Sequence, residues 1–155
     1  MADDQPQDVA PPFAFELEAA KIREFAQALG GLDPIHSDRA AAQAAGYRDV
    51  VAPIGLVVWT LAQDRRRVFD TFALAEDRGL TTGEGWDFLA PICAGDRLTG
   101  ETRRAGQEVR EGRSGPLTLH RLETRYHNQF GALVMLERTT VAQWDKASRD
   151  RKPAL

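Results

Sequence analysis

Apolar and polar residues follow helical spacing in the first half of this chain, and the pattern changes to strands in the second. In the first half, Ile22, Phe25, Ala26 and Leu29 recur at helical spacing, while Lys21, Arg23, Glu24 and Gln27 fill the opposite side. This predicts an amphipathic helix from about Glu18, preceded by a short alternating strand over 13–17. Gly30 and Gly31 stop the helix as C-cap residues do. Asp38 is placed to cap a short alanine-rich helix that runs to Ala45 and ends at Gly46. From Gly55 the run Leu56, Val57, Val58, Trp59, Thr60, Leu61, Ala62 is apolar on every side, which predicts a helix enclosed by sheet. Its continuation through Gln63, Asp64 and Arg65 to Arg67 is polar, so the later turns, with Val68, Phe69 and Phe72, are expected to emerge toward solvent or another subunit.

After Gly79 the pattern changes to strands. Strands are predicted over 80–88, 96–110, 116–127 and 133–144, separated by Pro91 with Gly95-Asp96, by a Gly-rich break at 111–115, and by Asn128-Gln129-Phe130-Gly131. Consecutive strands joined by short turns make an antiparallel sheet. A mostly apolar helix followed by such a meander packs by wrapping the sheet around the helix, an α+β arrangement. Residues 1–12, polar and proline-bearing, are expected to form a flexible N-terminal arm, and residues 145–155 a flexible C-terminal tail. The single domain then spans 13–144.

Composition narrows the function. The 155 residues carry a net charge of -3, without the basic excess of a nucleic-acid binder, and 43% hydrophobic content is enough to fill one core. Cys93 is the only cysteine, which excludes an intramolecular disulfide and a cysteine-rich metal site and fits a reducing compartment; the cytoplasm is the expected location. The acidic start at Asp3, Asp4 and Asp8 does not read as a secretory signal, and the apolar stretch from Val50 to Leu61 is too short for a bilayer. There is no Gly-x-Ser-x-Gly elbow, no phosphate loop, no His-Glu-x-x-His and no dinucleotide fingerprint. His120 and His127 sit at an odd separation on one predicted strand, on opposite faces, and cannot pair on a metal.

The candidate chemistry lies between Gly30 and Gly55. His36 stands beside the start of the apolar helix, and histidine takes and gives protons near neutral pH. Gly55 sits where unpaired backbone N-H groups point outward, a place for a developing negative charge, or else serves close helix packing. Asp33, before Pro34, is either an acid of the site or a turn residue. Arg65, Arg66 and Arg67 could meet phosphates or form a solvated face.

Several segments carry a resemblance. Phe25 to Gly30, the loop Asp33-Pro34-Ile35-His36-Ser37-Asp38, Ala45-Gly46-Tyr47 through Ala52-Pro53, Pro91 with Gly95-Asp96, and Asn128-Gln129-Phe130-Gly131 come in an order that resembles the MaoC-like hydratase and dehydratase family. Within it, the branch similar to the N-terminal dehydratase region of fungal-type fatty acid synthases fits best. The resemblance implies a hotdog fold, an antiparallel sheet wrapped around a long central helix. It also implies a hydro-lyase, adding water to or removing it from an enoyl thioester of coenzyme A or an acyl carrier, in fatty acid metabolism, without metal or other cofactor. The implied catalytic residues are His36, Asp33 and Gly55. Partners would be the thioester and a second hotdog subunit, as homodimer or heterodimer, with no nucleic acid or membrane. The family loop reads Gly-Asp-x-Asn-Pro-x-His; aligned on Pro34 and His36, its aspartate position is Gly31 and its asparagine position Asp33. Three alternatives therefore stand: Asp33 takes over; a partner subunit supplies the Asp and His pair while this chain binds the acyl group; or the chain acts on a thioester differently, as a hotdog thioesterase does.

Overall fold

The computed structural model describes residues 9–31, 33–62, 65–74, 79–112 and 115–144. Five antiparallel strands form one sheet in the order β1-β3-β4-β5-β2, with β1 at Phe13–Glu16, β2 at Gly79–Phe88, β3 at Arg97–Gly112, β4 at Gly115–His127 and β5 at Leu133–Trp144. The four long strands begin and end within two residues of the positions read from the sequence. The helices are α1 (Ala19–Ala28), α2 (Arg39–Ala44), α3 (Ile54–Ala62) and α4 (Arg65–Thr71); α1, α3 and α4 share core clusters with the sheet. This is the hotdog arrangement.

The local signals act as their chemistry dictates. Ile22 and Ala26 are the buried residues of α1. Gly30 and Gly31 take φ of +88° and +76°, a left-handed exit that glycine makes without strain. Asp38 Oδ1 accepts from the N-H of Ala40 and Ala41, capping α2. One core joins Leu56, Val57 and Leu61 of α3 to Leu98, Tyr126 and Met135 of the sheet; a second places Phe69 and Phe72 over Leu122 and Val141.

The all-round apolar surface of α3 does not mean full enclosure within the chain. Ile54 and Trp59 are each 60% exposed, because one curved sheet covers one side of a helix and leaves the other open. Residues 9–12, read from sequence as part of the arm, are seated: Val9 bridges Arg103, and Ala10 is buried with its N-H donating to Thr102. Residues 1–8 and the predicted tail lie outside the described residues.

Candidate active site

The site is assembled by a single 3-10 turn, Pro34–His36. Asp33 caps it: its Oδ1 accepts from Ile35 N-H at 3.0 Å, and no bond links that exposed carboxylate to the imidazole. Two hydrogen bonds tie the turn to the strand-like segment before α3. Val51 N-H donates to the Ile35 carbonyl at 2.9 Å, and His36 Nδ1 lies 2.7 Å from the Val51 carbonyl oxygen. A carbonyl can only accept, so Nδ1 carries a proton, and of the two neutral tautomers the one with its lone pair at Nε2 fits this contact.

Val51 is held in turn by a bridge to Cys93, with Ala52 N-H donating to Ile92 and Ala94 N-H to Val50. Behind the bridge, the buried Asp96 accepts from Cys93 N-H at 2.7 Å and from Arg48 Nη2 at 2.5 Å, while Arg48 lies 5.5 Å from the centre of the Phe130 ring. This anchor was legible in sequence only as a turn. Cys93 is itself buried and free.

At the start of α3 the Pro53 carbonyl accepts from Leu56 and Val57. The N-H groups of Ile54 and Gly55 have no acceptor among the described residues, as expected of a first helical turn. A Cβ on Gly55 would come 3.3 Å from Phe25 Cζ, so the close-packing role of this glycine is real. Beside these groups opens a pocket of about 300 Å³ lined by Val51, Ala52, Ile54, Val57 and residues 88–92. The structure thus bonds His36 to Val51, which lines this pocket together with Ile54 of the α3 start, and leaves the Asp33 carboxylate in its turn; His36 itself is not among the lining residues. Gly31, which the sequence resemblance sets at the family's aspartate position, contributes no side chain.

The arginine run does not gather as a phosphate site. Arg67 Nη1 donates to the Pro11 carbonyl at 2.7 Å with its guanidinium 4.3 Å from the centre of the Phe13 ring, strapping the N-terminal segment down. Arg66 faces Asp70 on the surface, and the Arg65 side chain lies outside the described residues. His120 is buried and paired with Arg104 Nη1 at 2.5 Å. Arginine can only donate, so His120 Nδ1 accepts. Burial, and then the Arg104 charge, hold its pKa below the usual value, against a hydrogen bond with Gln143. A group overlooked in the sequence lies on the sheet's inner face: Tyr126, Glu137 and Thr139, bonded to one another, beside Glu84.

A family model described as "FAS1-like, dehydratase domain region" matches residues 8–152. The chain belongs to this family. Its solved structural relatives include the HadBC (3R-hydroxyacyl-ACP dehydratase) complex of Mycobacterium tuberculosis, with TM-score 0.68 at 24% identity over 86% of this chain and 93% of that one. The MaoC-like dehydratase of Rhodospirillum rubrum matches with TM-score 0.68 at 22% identity, covering 95% and 93%. The (R)-hydratase of A. caviae gives 0.66 at 20%, covering 91% and 98%. These likenesses establish the MaoC-like hotdog fold. Among curated relatives, a UPF0336 protein of Streptomyces coelicolor is 37% identical over 92 residues, 57% of this chain and 61% of that protein. A UPF0336 protein of Streptomyces avermitilis is 36% identical over 91 residues, covering 57% and 61%. The match thus spans about three fifths of these relatives' length. Among the described residues, no helix is long and apolar enough to cross a membrane, and no cluster of His, Cys, Asp or Glu is arranged to hold a metal ion.

Proposed function

We propose that this FAS1-like dehydratase-region protein hydrates enoyl thioesters, and in reverse dehydrates 3-hydroxyacyl thioesters, as one of two hotdog subunits. The observation that supports the reading is the bond from His36 Nδ1-H to the Val51 carbonyl, which leaves Nε2 of the neutral ring as the acceptor, one residue away from an apolar pocket that Val51 lines. A thioester bound there would set its carbonyl oxygen against the N-H groups of Ile54 and Gly55. In hydration, Nε2 removes a proton from water as the water oxygen bonds to the β-carbon, and the electron pair moves to the thioester oxygen. Those N-H groups and the positive helix end stabilise the resulting enolate more than the ground state. The imidazolium keeps its Val51 bond. The α-carbon then takes up a proton, returned by Nε2 or supplied by an acid of the second subunit. Asp33 serves here by holding the turn, a positioning role.

The second subunit enters for two reasons. Gly31 leaves the family's acid position empty. In addition β2, ten residues long, is an open sheet edge beside the uncovered face of α3 with Ile54 and Trp59, and such edges pair with further strands. The structural relatives HadBC and ChsH1-ChsH2 of Mycobacterium tuberculosis are themselves complexes. The same Gly31 favours a second reading, a non-catalytic acyl-binding subunit.

The test follows crotonyl-CoA by loss of conjugated thioester absorbance together with free thiol. Hydration without thiol release supports the enzyme, and His36→Ala should lower it by about 100-fold or more with the fold retained. Undiminished turnover in that variant refutes the site. Thiol release alone means a thioesterase. Binding without turnover, together with co-purification of a hotdog chain bearing the Asp and His pair, means the acyl-binding subunit.

A further inference from the structure

Val51 and Cys93 face each other in a short antiparallel bridge. The bonds that join the two segments come from their neighbours, Ala52 N-H to the Ile92 carbonyl at 2.8 Å and Ala94 N-H to the Val50 carbonyl at 2.9 Å. In such a pair the N-H and C=O groups of the two facing residues point away from one another. Those of Val51 go to the turn of His36, the carbonyl accepting from Nδ1 and the N-H donating to Ile35. Those of Cys93 go to a single residue: its N-H donates to Asp96 Oδ2 at 2.7 Å, and its carbonyl accepts from Asp96 N-H at 3.0 Å.

Asp96 is itself fixed. Its carbonyl accepts from Leu17 N-H at 3.0 Å and Gly95 N-H donates to the Leu17 carbonyl at 2.8 Å, so this end of the relay rests on a core residue. A carboxylate as buried as this one destabilises a fold unless it is paired. Arg48 pairs with it, Nη2 at 2.5 Å from Oδ1, so each carboxylate oxygen has its own donor. Arg48 stands three residues before Val51 and Asp96 three after Cys93, so the ion pair ties the two segments a second time. A neutral side chain could accept from Cys93; the charged pair adds a clamp between the segments that such a residue would not.

We propose that Asp96, paired with Arg48, is a positioning residue for the reaction: by gripping Cys93 it sets Val51, and the Val51 carbonyl sets the Nδ1 proton, and so the Nε2 lone pair, of His36. The inference rests on the hydratase reading of His36. A neutral histidine free in water carries its proton mainly on Nε2, the wrong nitrogen for this base, and a carbonyl held against Nδ1 reverses the choice. That bond weakens as its distance and angle drift. The relay consists of backbone and one carboxylate, none of it in contact with His36 except through Val51. Loss of the carboxylate should therefore act on the tautomer without removing a group that meets the substrate.

The test joins kinetics to nitrogen NMR of the full-length protein, isotope-labelled at its histidines, at about pH 8, above the usual histidine pKa. A spectrum of His36→Ala identifies the His36 signals among the three histidines. In the wild type they should show a protonated Nδ1 and a bare Nε2. Asp96→Asn, nearly equal in shape, offers one oxygen to two donors. It should move His36 toward the Nε2-H tautomer and lower kcat on crotonyl-CoA about five- to tenfold, the share that one hydrogen bond decides, with KM held within about twofold. Arg48→Lys, which keeps the charge, should lose less on both readings than Arg48→Met, and this pair gives the answer should the asparagine variant fold poorly. A lower Tm with kcat and the His36 signals unchanged would mean that Asp96 only holds the fold, and would overturn the proposal. So would a fall in kcat with an unmoved tautomer, or equal losses in the two Arg48 variants. A wild type that does not hydrate crotonyl-CoA would sink the hydratase reading; the nitrogen spectra would still decide whether Asp96 sets the ring.

Discussion

Gly55 can be tested in two ways that separate its packing from its N-H. Gly55→Ala keeps the donor. Its new Cβ would stand 3.3 Å from Phe25 Cζ, a few tenths of an ångström inside the ~3.5–4.0 Å carbon contact optimum, and the touching atom is the far end of a half-buried ring that can give way. Against that small strain stands the helix preference for alanine over glycine, about 0.5–1 kcal/mol, so stability should be unchanged or slightly higher. Gly55→Pro deletes the donor. Proline is tolerated in a first helical turn because that N-H lacks a helical acceptor in any case, although Ile54 before it is pushed away from helical angles. A cost of about 1 kcal/mol would lower Tm by roughly 2–4 °C in a chain of this size. If the Gly55 N-H receives the enolate oxygen, its loss should lower kcat about 100- to 1,000-fold, as for other single oxyanion donors. Crotonyl-CoA hydration and thermal melts on both variants decide the matter. The alanine variant should keep wild-type kcat within about threefold, and the proline variant should be folded and nearly inactive. Full activity in a folded proline variant refutes the oxyanion role; an alanine variant as inactive as the proline one, at unchanged Tm, assigns the glycine to steric access instead.

Two further outcomes test the scaffold. Gly100→Ala would force a Cβ to 2.5 Å from Phe13 Cε1 and 2.8 Å from Tyr126 Cε1, between rings packed edge to face, so it should destabilise the fold by about 1–3 kcal/mol in denaturant titrations. Wild-type stability in that variant would contradict the packing. His120 gives a pH signature: its pKa is lowered in the fold, so the native state binds fewer protons than the unfolded chain below about pH 6.5. Its contribution is complete above that pH and is lost as pH falls toward the lowered folded value. Melts from about pH 7.5 to 5.5 should show a steeper loss in wild type than in His120→Gln; parallel curves would refute it.

Where residues act through the backbone, the pattern of the chain was enough to read their roles. Glycines at a helix exit, Asp38 at a cap and turn-forming residues between the long strands each satisfy a local demand that any short window contains, and the strands accordingly fell within two residues of expectation. His36 was legible for the same reason, lying in a short loop next to a helix start. Asp33 was ambiguous because one carboxylate serves a turn and a catalytic pair equally well on paper; the choice depends on where Oδ1 points, and it points to Ile35 N-H. The exposure of Trp59 was misread because an apolar helix surface does not record whether sheet or another subunit covers it.

The inner polar row was hidden by the alternation within each strand. In β5, Met135, Glu137, Thr139 and Val141 share one face, with the two polar members between two apolar ones; a single strand of this pattern reads as irregular instead of as a buried face with a polar centre. Only register across four strands places Glu137 beside Thr124 and Thr102 and beneath Val58. A fold under selection for packing alone would fill those positions as it fills Leu98 and Met135. Their polarity is instead met within the chain: Glu137 accepts from Tyr126 and Thr139, the Thr102 and Thr124 hydroxyls bond each other, and Glu84, Tyr126 and Glu137 have further partners, so the row is a hydrogen-bonded centre that no single strand displays.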